Sequence, residues 1–348
     1  MSVFRRMYRG ETAFDFVNIS RRTIIVSGAL VALSIVMMFV RPFNLSIDFT
    51  GGVVVTVENT AGASVDDIRA DLRDVGYADA RVQITGEGII QVQTEALDPD
   101  DQDLLVQTVA DAAGADVNDA NVDAVGPTFG AEVTRRAVQA LVVFLIVVAI
   151  FIAWRFEWKM AIAALAALFH DLIISGGIYA AIGFVVTPST IIAVLTILGY
   201  SLYDTVVVFD KVTENVHEAN SKTTFSGIIN LSMNQVLMRS INTSLTSLLP
   251  IGSLLLVGLL AIGAETLREF ALALFIGVAI GTYSSLFVAS PLLAMWKEGE
   301  PEWERRRRRA SRGDDAEPEA VAPQPTQQSV ADANAAAPRP PKQRRKRR

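Results

Sequence analysis

The sequence contains no cysteine and only two histidines. The absence of cysteine excludes disulfides, thiolate metal sites and a cysteine nucleophile. His170 and His217 are too few for a zinc centre built from histidines. The glycine-rich phosphate loop, the G-x-S-x-G serine motif and the H-E-x-x-H zinc motif are also missing. We therefore expect no cofactor, no metal and no enzymatic activity, and any work must draw on an ion gradient or on a partner.

Long apolar runs dominate what is present. The 348 residues are 51% hydrophobic, with a mean hydropathy of +0.36, which is typical of a membrane protein. A helix needs about 20 predominantly apolar residues to cross the hydrocarbon core. Six segments of this kind predict an α-helical polytopic membrane protein, with transmembrane helices at residues 23–40, 137–154, 160–184, 189–209, 240–264 and 268–296.

Basic residues mark one side of the membrane. They collect in residues 1–22, in the short loop 155–159, in the loop 210–239 and in the tail 297–348. Because cytoplasmic loops are enriched in Lys and Arg, we expect a multi-pass protein of the cytoplasmic membrane with both termini in the cytoplasm. The tail lacks apolar periodicity, which predicts disorder. Its basic clusters indicate a solvated topology signal near membrane lipids, without a specific nucleic-acid partner, although contact with ribosomal RNA is the alternative.

Residues 41–136 between the first two spans predict a folded extracytoplasmic domain. Strand and helix patterns alternate in the order β-α-β-β-α-β, which is typical of an α+β ferredoxin-like unit. Ser64 is the expected N-cap of the first helix, with Asp67 as a short capping box. The residues 86–88 predict a hairpin turn, and Pro99 opens the second helix.

One carboxylate interrupts the fourth span. Asp204 lies in an otherwise uncharged stretch, where an acidic side chain costs about 2.5–3.5 kcal/mol on translocon scales. A carboxylate balanced between burial and a nearby cation can load and release a proton near neutral pH. We expect Asp204 to be a proton site, and the alternative is a structural carboxylate that never titrates. Its neighbours are small or hydroxyl-bearing, namely Gly199, Tyr200, Ser201, Tyr203 and Thr205.

The candidate cation is Arg239, at the start of the fifth predicted span. Together with Asn242, Thr243 and Thr246 it forms one polar helical face. This stripe predicts a polar path into the helix bundle. The alternative is an arginine that only snorkels to the cytoplasmic interface.

The third and sixth spans carry two further patterns. His170 and Asp171 lie at the midpoint of the third span, where Asp171 is expected to bond a closely packed neighbouring helix or, alternatively, to form a second proton relay. Small residues recur every four positions along the sixth span and predict close helix packing. They are Ala273, Gly277, Gly281 and Ser285.

Several of these segments resemble the SecD/SecF family. The entry motif Asp48-Phe49-Thr50-Gly51-Gly52 follows the first span, and the stretch 199–210 is similar to the family's fourth-helix motif. The stretch 239–246 and the pair His170-Asp171 also match, so that the resemblance covers residues 15–297. This chain departs from the pattern at Tyr203, where the family motif usually has asparagine.

The resemblance implies a function in protein export. Family members of this type pair with SecD in a core of the resistance-nodulation-division type. They use the proton-motive force to draw unfolded proteins across the membrane, alongside the Sec translocon channel and its accessory membrane subunits. In the family, residues matching Asp204 and Arg239 serve proton transport.

Three other functions compete with this interpretation. The first is one half of a proton-coupled exporter of the same superfamily, although such exporters usually have twelve spans and two large outside domains in one chain. The second is an intramembrane aspartyl protease, which also uses a Tyr-Asp pair but needs a second aspartate in a Gly-x-Gly-Asp motif that this sequence lacks. The third is a purely scaffolding family member, in which Asp204 would not titrate.

Overall fold

The computed structural model describes residues 14–84, 88–220, 223–260 and 265–311. In chain order its helices and strands are α1 (Phe16–Val40), β1 (Asn44–Leu45), α2 (Ile47–Thr50), β2 (Gly52–Glu58), α3 (Val65–Asp74), β3 (Arg81–Ile84), β4 (Ile89–Thr94), α4 (Pro99–Ala113), β5 (Asn121–Val125), α5 (Pro127–Arg155), α6 (Trp158–Ile182), β6 (Val185–Val186), α7 (Pro188–Glu218), α8 (Phe225–Leu260), α9 (Glu265–Ser284), α10 (Ser290–Glu298) and α11 (Pro301–Ser311).

Six of the described helical segments are long and apolar enough to cross a membrane, which confirms the predicted number of spans. They form the bundle, which consists of α1, α5, α6, α7, α8 and the continuous segment from α9 to α10. A π-helical turn at Ser285–Ala289 joins α9 to α10. Residues 261–264, the end of the fifth predicted span, lie outside the described residues, as do residues 1–13 of the predicted cytoplasmic N-terminus.

The predicted cytoplasmic loop 210–239 is largely helical in the structure. The fourth span continues as α7 to Glu218, and α8 begins at Phe225, well before Arg239. Apolar side chains explain the difference, since Ile228, Ile229 and Met233 are fully buried in the main core of the bundle. They extend the apolar face of α8 beyond the 20 or so residues that hydropathy alone requires.

The tail is ordered further than its composition predicts. Residues 301–311 form α11, so disorder from residue 297 onward is wrong for this part, and residues 312–348 lie outside the described residues. Trp303 is buried and packs edge-to-face on Phe225, with ring centroids 5.0 Å apart. Two i,i+4 ion pairs, from Arg306 to Glu302 and from Arg308 to Glu304, add local support. The arginines of the basic run therefore pair with glutamates one turn earlier, and this charge pattern favours a helix.

The segment from β2 to β5, here called the α/β unit, contains a four-stranded sheet in the order β3-β4-β2-β5, with every neighbouring pair antiparallel. Helices α3 and α4 cover one face, where Val55, Ile68, Ile90 and Leu105 are fully buried. The predicted strand 116–125 is shorter in the structure, because a 3₁₀ turn at Val117–Asp119 precedes β5. Residues 85–87, which include the first two residues of the hairpin turn predicted at 86–88, lie outside the described residues.

The capping box predicted for α3 is confirmed. Ser64 Oγ accepts a hydrogen bond from the Asp67 backbone N–H, and the Asp67 carboxylate accepts from the Ser64 backbone N–H at 3.1 Å. The Ser64 hydroxyl also donates to this carboxylate at 2.6 Å. These bonds, the side-chain one first, hold the pKa of Asp67 below its ordinary value.

Two glycines lie where the chain enters the α/β unit. Gly51 and Gly52 have φ angles of 73° and 132°, which other residues rarely adopt. A β-carbon on Gly52 would overlap the carbonyl oxygen of Thr94, and one on Gly51 would lie 2.7 Å from Pro127 Cα at the start of α5. The segment before the α/β unit is held by the short parallel pairing of β1 with β6, directly before α7. The family-motif glycines are thus required by close backbone contacts.

Candidate functional site

Helices α7 and α9 approach closely along the stripe of small residues predicted for the sixth span. A β-carbon on Gly277 would overlap Ile197, and one on Gly281 would lie 2.8 Å from the Ser201 side chain. One turn later, the hydroxyls of Ser285 and Thr205 are 2.9 Å apart. The close approach brings the polar residues of α7 into the middle of the bundle, among the hydroxyl groups of its neighbours.

Asp204 is buried in this interior, with 6% of its surface exposed. Its Oδ1 accepts a hydrogen bond of 2.8 Å from Ser240 Oγ on α8. Its Oδ2 is buried and has no hydrogen-bond partner among the described residues. Because a buried charged carboxylate with an unpaired oxygen is costly, this geometry suits a group that takes up a proton on Oδ2 while Ser240 remains bonded to Oδ1.

Sequence reasoning missed the buried hydroxyl groups of α8, of which Ser240 contacts Asp204. Ser240 and Ser244 are buried, and Ser244 Oγ lies 2.8 Å from Thr282 Oγ1 on α9. Their i,i+4 spacing was a usable signal, since it marks a second polar face on the same helix. The face of α8 that points into the bundle therefore carries these serines.

The predicted stripe of α8 faces outward within this chain. Arg239, Asn242 and Thr246 are exposed and Thr243 is half-buried, so its expected orientation into the bundle is wrong for the single chain. The hydroxyls of Thr243 and Thr246 bond to carbonyls of their own helix. The stripe offers a polar surface beside the Asp204 site.

Arg239 contacts the residue that precedes Asp204. Its Nη2 donates a hydrogen bond of 2.9 Å to Tyr203 Oη, and its guanidinium lies 6.0 Å from the centre of the Tyr203 ring. The pairs Tyr203–Arg239 and Asp204–Ser240 are thus consecutive contacts between α7 and α8, one exposed and one buried. Arg239 is adjacent to the carboxylate site but directed to its outer side.

His170 and Asp171 form a second buried polar cluster. The expected helix–helix hydrogen bonds of Asp171 are confirmed, because its Oδ2 accepts from Ser201 Oγ on α7 at 2.6 Å and from Ser284 Oγ on α9 at 2.8 Å. His170 Nδ1 lies 3.0 Å from Asp171 Oδ1. The cluster joins three helices one turn away from Asp204.

The motif residue Asp48 lies outside this interior. Its Oδ2 accepts a 3.0 Å hydrogen bond from Ser46 Oγ, and it lines a polar cavity of about 330 Å³ between the open sheet face and the ends of the spanning helices. In the part of the chain that the structure describes, no three His, Cys, Asp or Glu side chains are grouped to hold a metal ion.

Two family models match the chain. The model described as "Protein export membrane protein SecD/SecF, C-terminal" covers residues 105–299, and the "SecD/SecF GG Motif" model covers residues 36–58. The first range contains Asp171, Asp204 and Arg239, and the second contains Gly51 and Gly52. The chain belongs to the SecD/SecF family.

Curated relatives agree with this assignment. "Protein translocase subunit SecF" of Streptomyces coelicolor is 39% identical over 322 residues, which cover 90% of this chain and 86% of the relative. The protein of the same name from Mycobacterium tuberculosis is 42% identical, over 85% of this chain and 70% of the relative. As a SecD/SecF protein, the chain is a multi-pass membrane protein with a function in protein translocation.

A solved structure supports the same fold. SecDF from Thermus thermophilus, described as a translocon-associated membrane protein, has a TM-score of 0.75 and 35% identity to this chain. The match covers 83% of this chain and 39% of the SecDF chain. The SecD/SecF protein described here therefore corresponds to one part of that longer polypeptide.

Proposed function

We propose that this SecD/SecF protein acts as a SecF subunit, which pairs with SecD and uses the proton-motive force to complete protein translocation. The observation that carries the proposal is the state of Asp204. Its carboxylate is buried among spanning helices, one oxygen is bonded to Ser240 and the other has no partner among the described residues. Intramembrane carboxylates of this kind mark proton and ion pathways.

Proton uptake at Asp204 changes the charge of α7 without breaking a contact. A proton on Oδ2 neutralises the carboxyl group, and Ser240 can keep its hydrogen bond to Oδ1 in both states. The two charge states have different solvation costs inside a membrane. The charged form therefore favours a conformation in which the site is open to water, and the neutral form favours a closed one. This difference in free energy allows a proton gradient to shift the conformational equilibrium.

Arg239 is the residue that we expect to promote proton release. It lies beside Ser240 on α8, and its flexible side chain is held by an exposed contact to Tyr203. A cation that moves towards Asp204 favours the charged carboxylate. The outward stripe of Arg239, Asn242, Thr243 and Thr246 further fits a polar surface that a partner subunit covers, since exposed arginine is unfavourable against lipid.

The partner and the topology follow from the same surfaces. The relative named "Protein translocase subunit SecDF" aligns with this chain over 40% of its length, which supports SecD as the missing partner. The Sec translocon channel with its accessory subunits, translocating unfolded proteins and membrane lipids are the further partners of the proposal. The α/β unit is proposed to be a ferredoxin-like extracytoplasmic domain, because its antiparallel strand order β3-β4-β2-β5 fits that fold.

Ion pairs support cytoplasmic termini. Arg155 at the end of α5 bonds Asp210 at 2.6 Å, Lys159 bonds Glu300 at 2.8 Å, and Lys297 bonds Glu157. All three pairs lie at the end of the bundle opposite the α/β unit, where the basic loops gather. Loops that carry Lys and Arg are expected on the cytoplasmic side.

The competing enzymatic function has no support in α8. An intramembrane aspartyl protease needs a second aspartate opposite the first, and residues 225–260 contain no carboxylate. The position facing Asp204 is occupied by Ser240 instead. We therefore propose a transport role without enzymatic catalysis or a cofactor.

Export into inverted membrane vesicles that contain the complex with SecD tests the proposal. Asp204→Asn keeps the size and the bond to Ser240 but cannot exchange a proton, so the uncoupler-sensitive part of export should be lost. Asp210→Asn is the matched control, because Asp210 lies on the same helix in an exposed ion pair. Full uncoupler-sensitive export by Asp204→Asn would overturn the proposal.

A further inference from the structure

Asp171 is a second buried carboxylate, and its surroundings can satisfy it with or without a proton. It is 1% exposed and lies in the middle of α6. When it is charged, Oδ2 accepts hydrogen bonds from Ser201 and Ser284. These two donors are sufficient for a carboxylate whose only role is to connect helices, so a proton-binding role has to rest on further groups.

Ser284 has an alternative acceptor. Its Oγ lies 2.8 Å from Asp171 Oδ2 and also 3.1 Å from the carbonyl oxygen of Gly281. A hydroxyl group has one hydrogen to donate but can accept as well. If Oδ2 takes up a proton, its O–H can donate to Ser284 Oγ while the Ser284 hydroxyl turns to Gly281. All of these groups remain bonded after the exchange.

His170 gives the site a second place for the proton. Nδ1 is 3.0 Å from Asp171 Oδ1, so a proton can reside on either atom of this hydrogen bond. The other nitrogen, Nε2, is buried and has no hydrogen-bond partner among the described residues. The hydrogen bond between the two side chains therefore offers a second proton position beside Asp171.

The groups that face this pair come from several helices. Helix α9 contributes Ser284 and Tyr283, whose ring centre is 6.3 Å from that of His170. Tyr283 in turn bonds Ser27 of α1. Helix α7 contributes Ser201 and, one turn further on, Asp204. The charged residues of α5 and α10, which also pack on α6, lie at helix ends, and α1 has none beyond Arg22.

Ser201 contacts Asp171 and lies on the same helix as Asp204. Its hydroxyl donates to Asp171, and its carbonyl oxygen accepts from Thr205 and from Ser285, each at 3.1 Å. Asp204 lies three residues later on the same helix. Ser201 is therefore the residue of α7 through which a change at Asp204 can reach the donors of Asp171.

We propose that His170 and Asp171 form a second proton-binding site of the bundle, coupled to Asp204 through Ser201. The pair takes up one proton and returns it in each cycle, and no covalent step is involved. The inference rests on the proposed proton exchange at Asp204, and the experiment below measures Asp171 and Asp204 by separate signals. The alternative to this proposal is that Asp171 stays charged and only holds α6, α7 and α9 together.

Infrared difference spectra of the complex with SecD, recorded across pH, separate these possibilities. Wild type should show two carboxyl C=O bands that titrate, one absent in Asp171→Asn and the other absent in Asp204→Asn. The Asp171 band should shift its midpoint in Asp204→Asn. If Asp171→Asn loses no band, Asp171 does not bind a proton and the proposal is overturned. If wild type shows the Asp204 band but no Asp171 band, this proposal fails while proton exchange at Asp204 stands, so the two proposals fail separately.

Nitrogen-15 spectra of histidine-labelled protein provide the second readout. The chain has two histidines, so His217→Gln assigns the His170 signals and serves as the matched control. His170 signals should change with pH in wild type, and the midpoint of this change should move in Asp171→Asn. His170→Gln should move the midpoint of the Asp171 carboxyl band. The proposal is contradicted if the midpoint of the His170 signals is unchanged in Asp171→Asn and the midpoint of the Asp171 band is unchanged in His170→Gln. Because either variant gives a readout, one that assembles poorly does not prevent the test.

Discussion

Ser240 donates a 2.8 Å hydrogen bond to Asp204 and is the only described side chain seen to do so, although Arg239 is its immediate neighbour. The serine satisfies one carboxylate oxygen from inside the bundle, whereas the arginine lies on the outer side against Tyr203. We therefore expect Ser240 and Arg239 to affect proton exchange at Asp204 in different ways, the serine through its hydrogen bond and the arginine through its charge.

Replacing Ser240 tests the fixed donor. Ser240→Ala leaves a buried acceptor without its partner, which costs about 1–3 kcal/mol, more when the acceptor is charged. The charged form of Asp204 loses more than the neutral form, so uncoupler-sensitive export should need a higher pH. Export in vesicles buffered over a pH series measures this change. Ser253→Ala is the control, since Ser253 is exposed and bonds only its own helix at Leu249; equal pH profiles for both variants would count against the role of Ser240.

Replacing Arg239 tests the effect of the neighbouring positive charge. Arg239→Met removes the charge, so the Asp204 carboxyl band should titrate at a higher pH and proton-driven export should fall. Arg239→Lys should restore part of the function, because lysine keeps the charge but lacks the planar fork that bonds Tyr203. Infrared titration of the three proteins measures the midpoints. An unchanged midpoint in Arg239→Met would reduce Arg239 to an anchor at the helix surface.

Close packing between α7 and α9 should be essential for both carboxylates. The β-carbon of Gly281→Ala would lie 2.8 Å from the Ser201 side chain, so one of the helices must shift, at a cost of about 1–3 kcal/mol. Gly199→Ala is the control on α7, since its β-carbon would have no atom within 4 Å. We expect reduced thermal stability and reduced export in Gly281→Ala only. Comparable losses in both variants would mean that helix flexibility, rather than space, is limiting.

The α/β unit makes a prediction that does not depend on the membrane. A fragment of residues 41–136 should melt cooperatively, because the unit has its own core. The pKa of Asp67 is lowered in the folded state, so the capping box stabilises the fold above about pH 4, the ordinary pKa of aspartate, and this stability is lost as the pH falls through the lowered value. Ser64→Ala should reduce the resulting difference in melting temperature between neutral and acidic pH.

The control for this prediction is Asp66→Asn, because Asp66 is exposed in the same turn and only approaches Arg69 at 3.7 Å. A fragment without a cooperative transition would show that the unit needs the bundle to fold. An acid-induced loss of stability that Ser64→Ala leaves unchanged would assign the effect to other carboxylates.

The sequence predicted the number of spans, the position of Asp204 inside the fourth span and the helix contacts of Asp171, because a bilayer imposes strong constraints on length and on buried charge. The proton exchange expected at Asp204 stays a prediction. It did not predict which polar face of α8 lies inside. Two faces were available, one with Arg239 and Asn242 and one with Ser240 and Ser244, and periodicity alone cannot choose between them. Contacts between helices decide the question, since Ser240 bonds Asp204 on α7 and Ser244 bonds Thr282 on α9.

Helix α11 was missed for a different reason. Its composition is strongly basic, and composition favours disorder when charges are counted without their spacing. The i,i+4 pairs from Glu302 to Arg306 and from Glu304 to Arg308 stabilise a helix instead. The contact of Trp303 with Phe225 then fixes it to the bundle, and such a long-range contact leaves no local pattern.

Proton movement measured in proteoliposomes tests the central claim most directly. The complex with SecD is reconstituted with an entrapped pH-sensitive dye, a pH gradient is imposed, and the proton flux is followed in the presence of an unfolded secretory protein. We predict flux in wild type and in Asp210→Asn, and none above the protein-free background in Asp204→Asn. Wild-type flux in Asp204→Asn, with the complex intact, would contradict the assignment of Asp204 as the proton carrier.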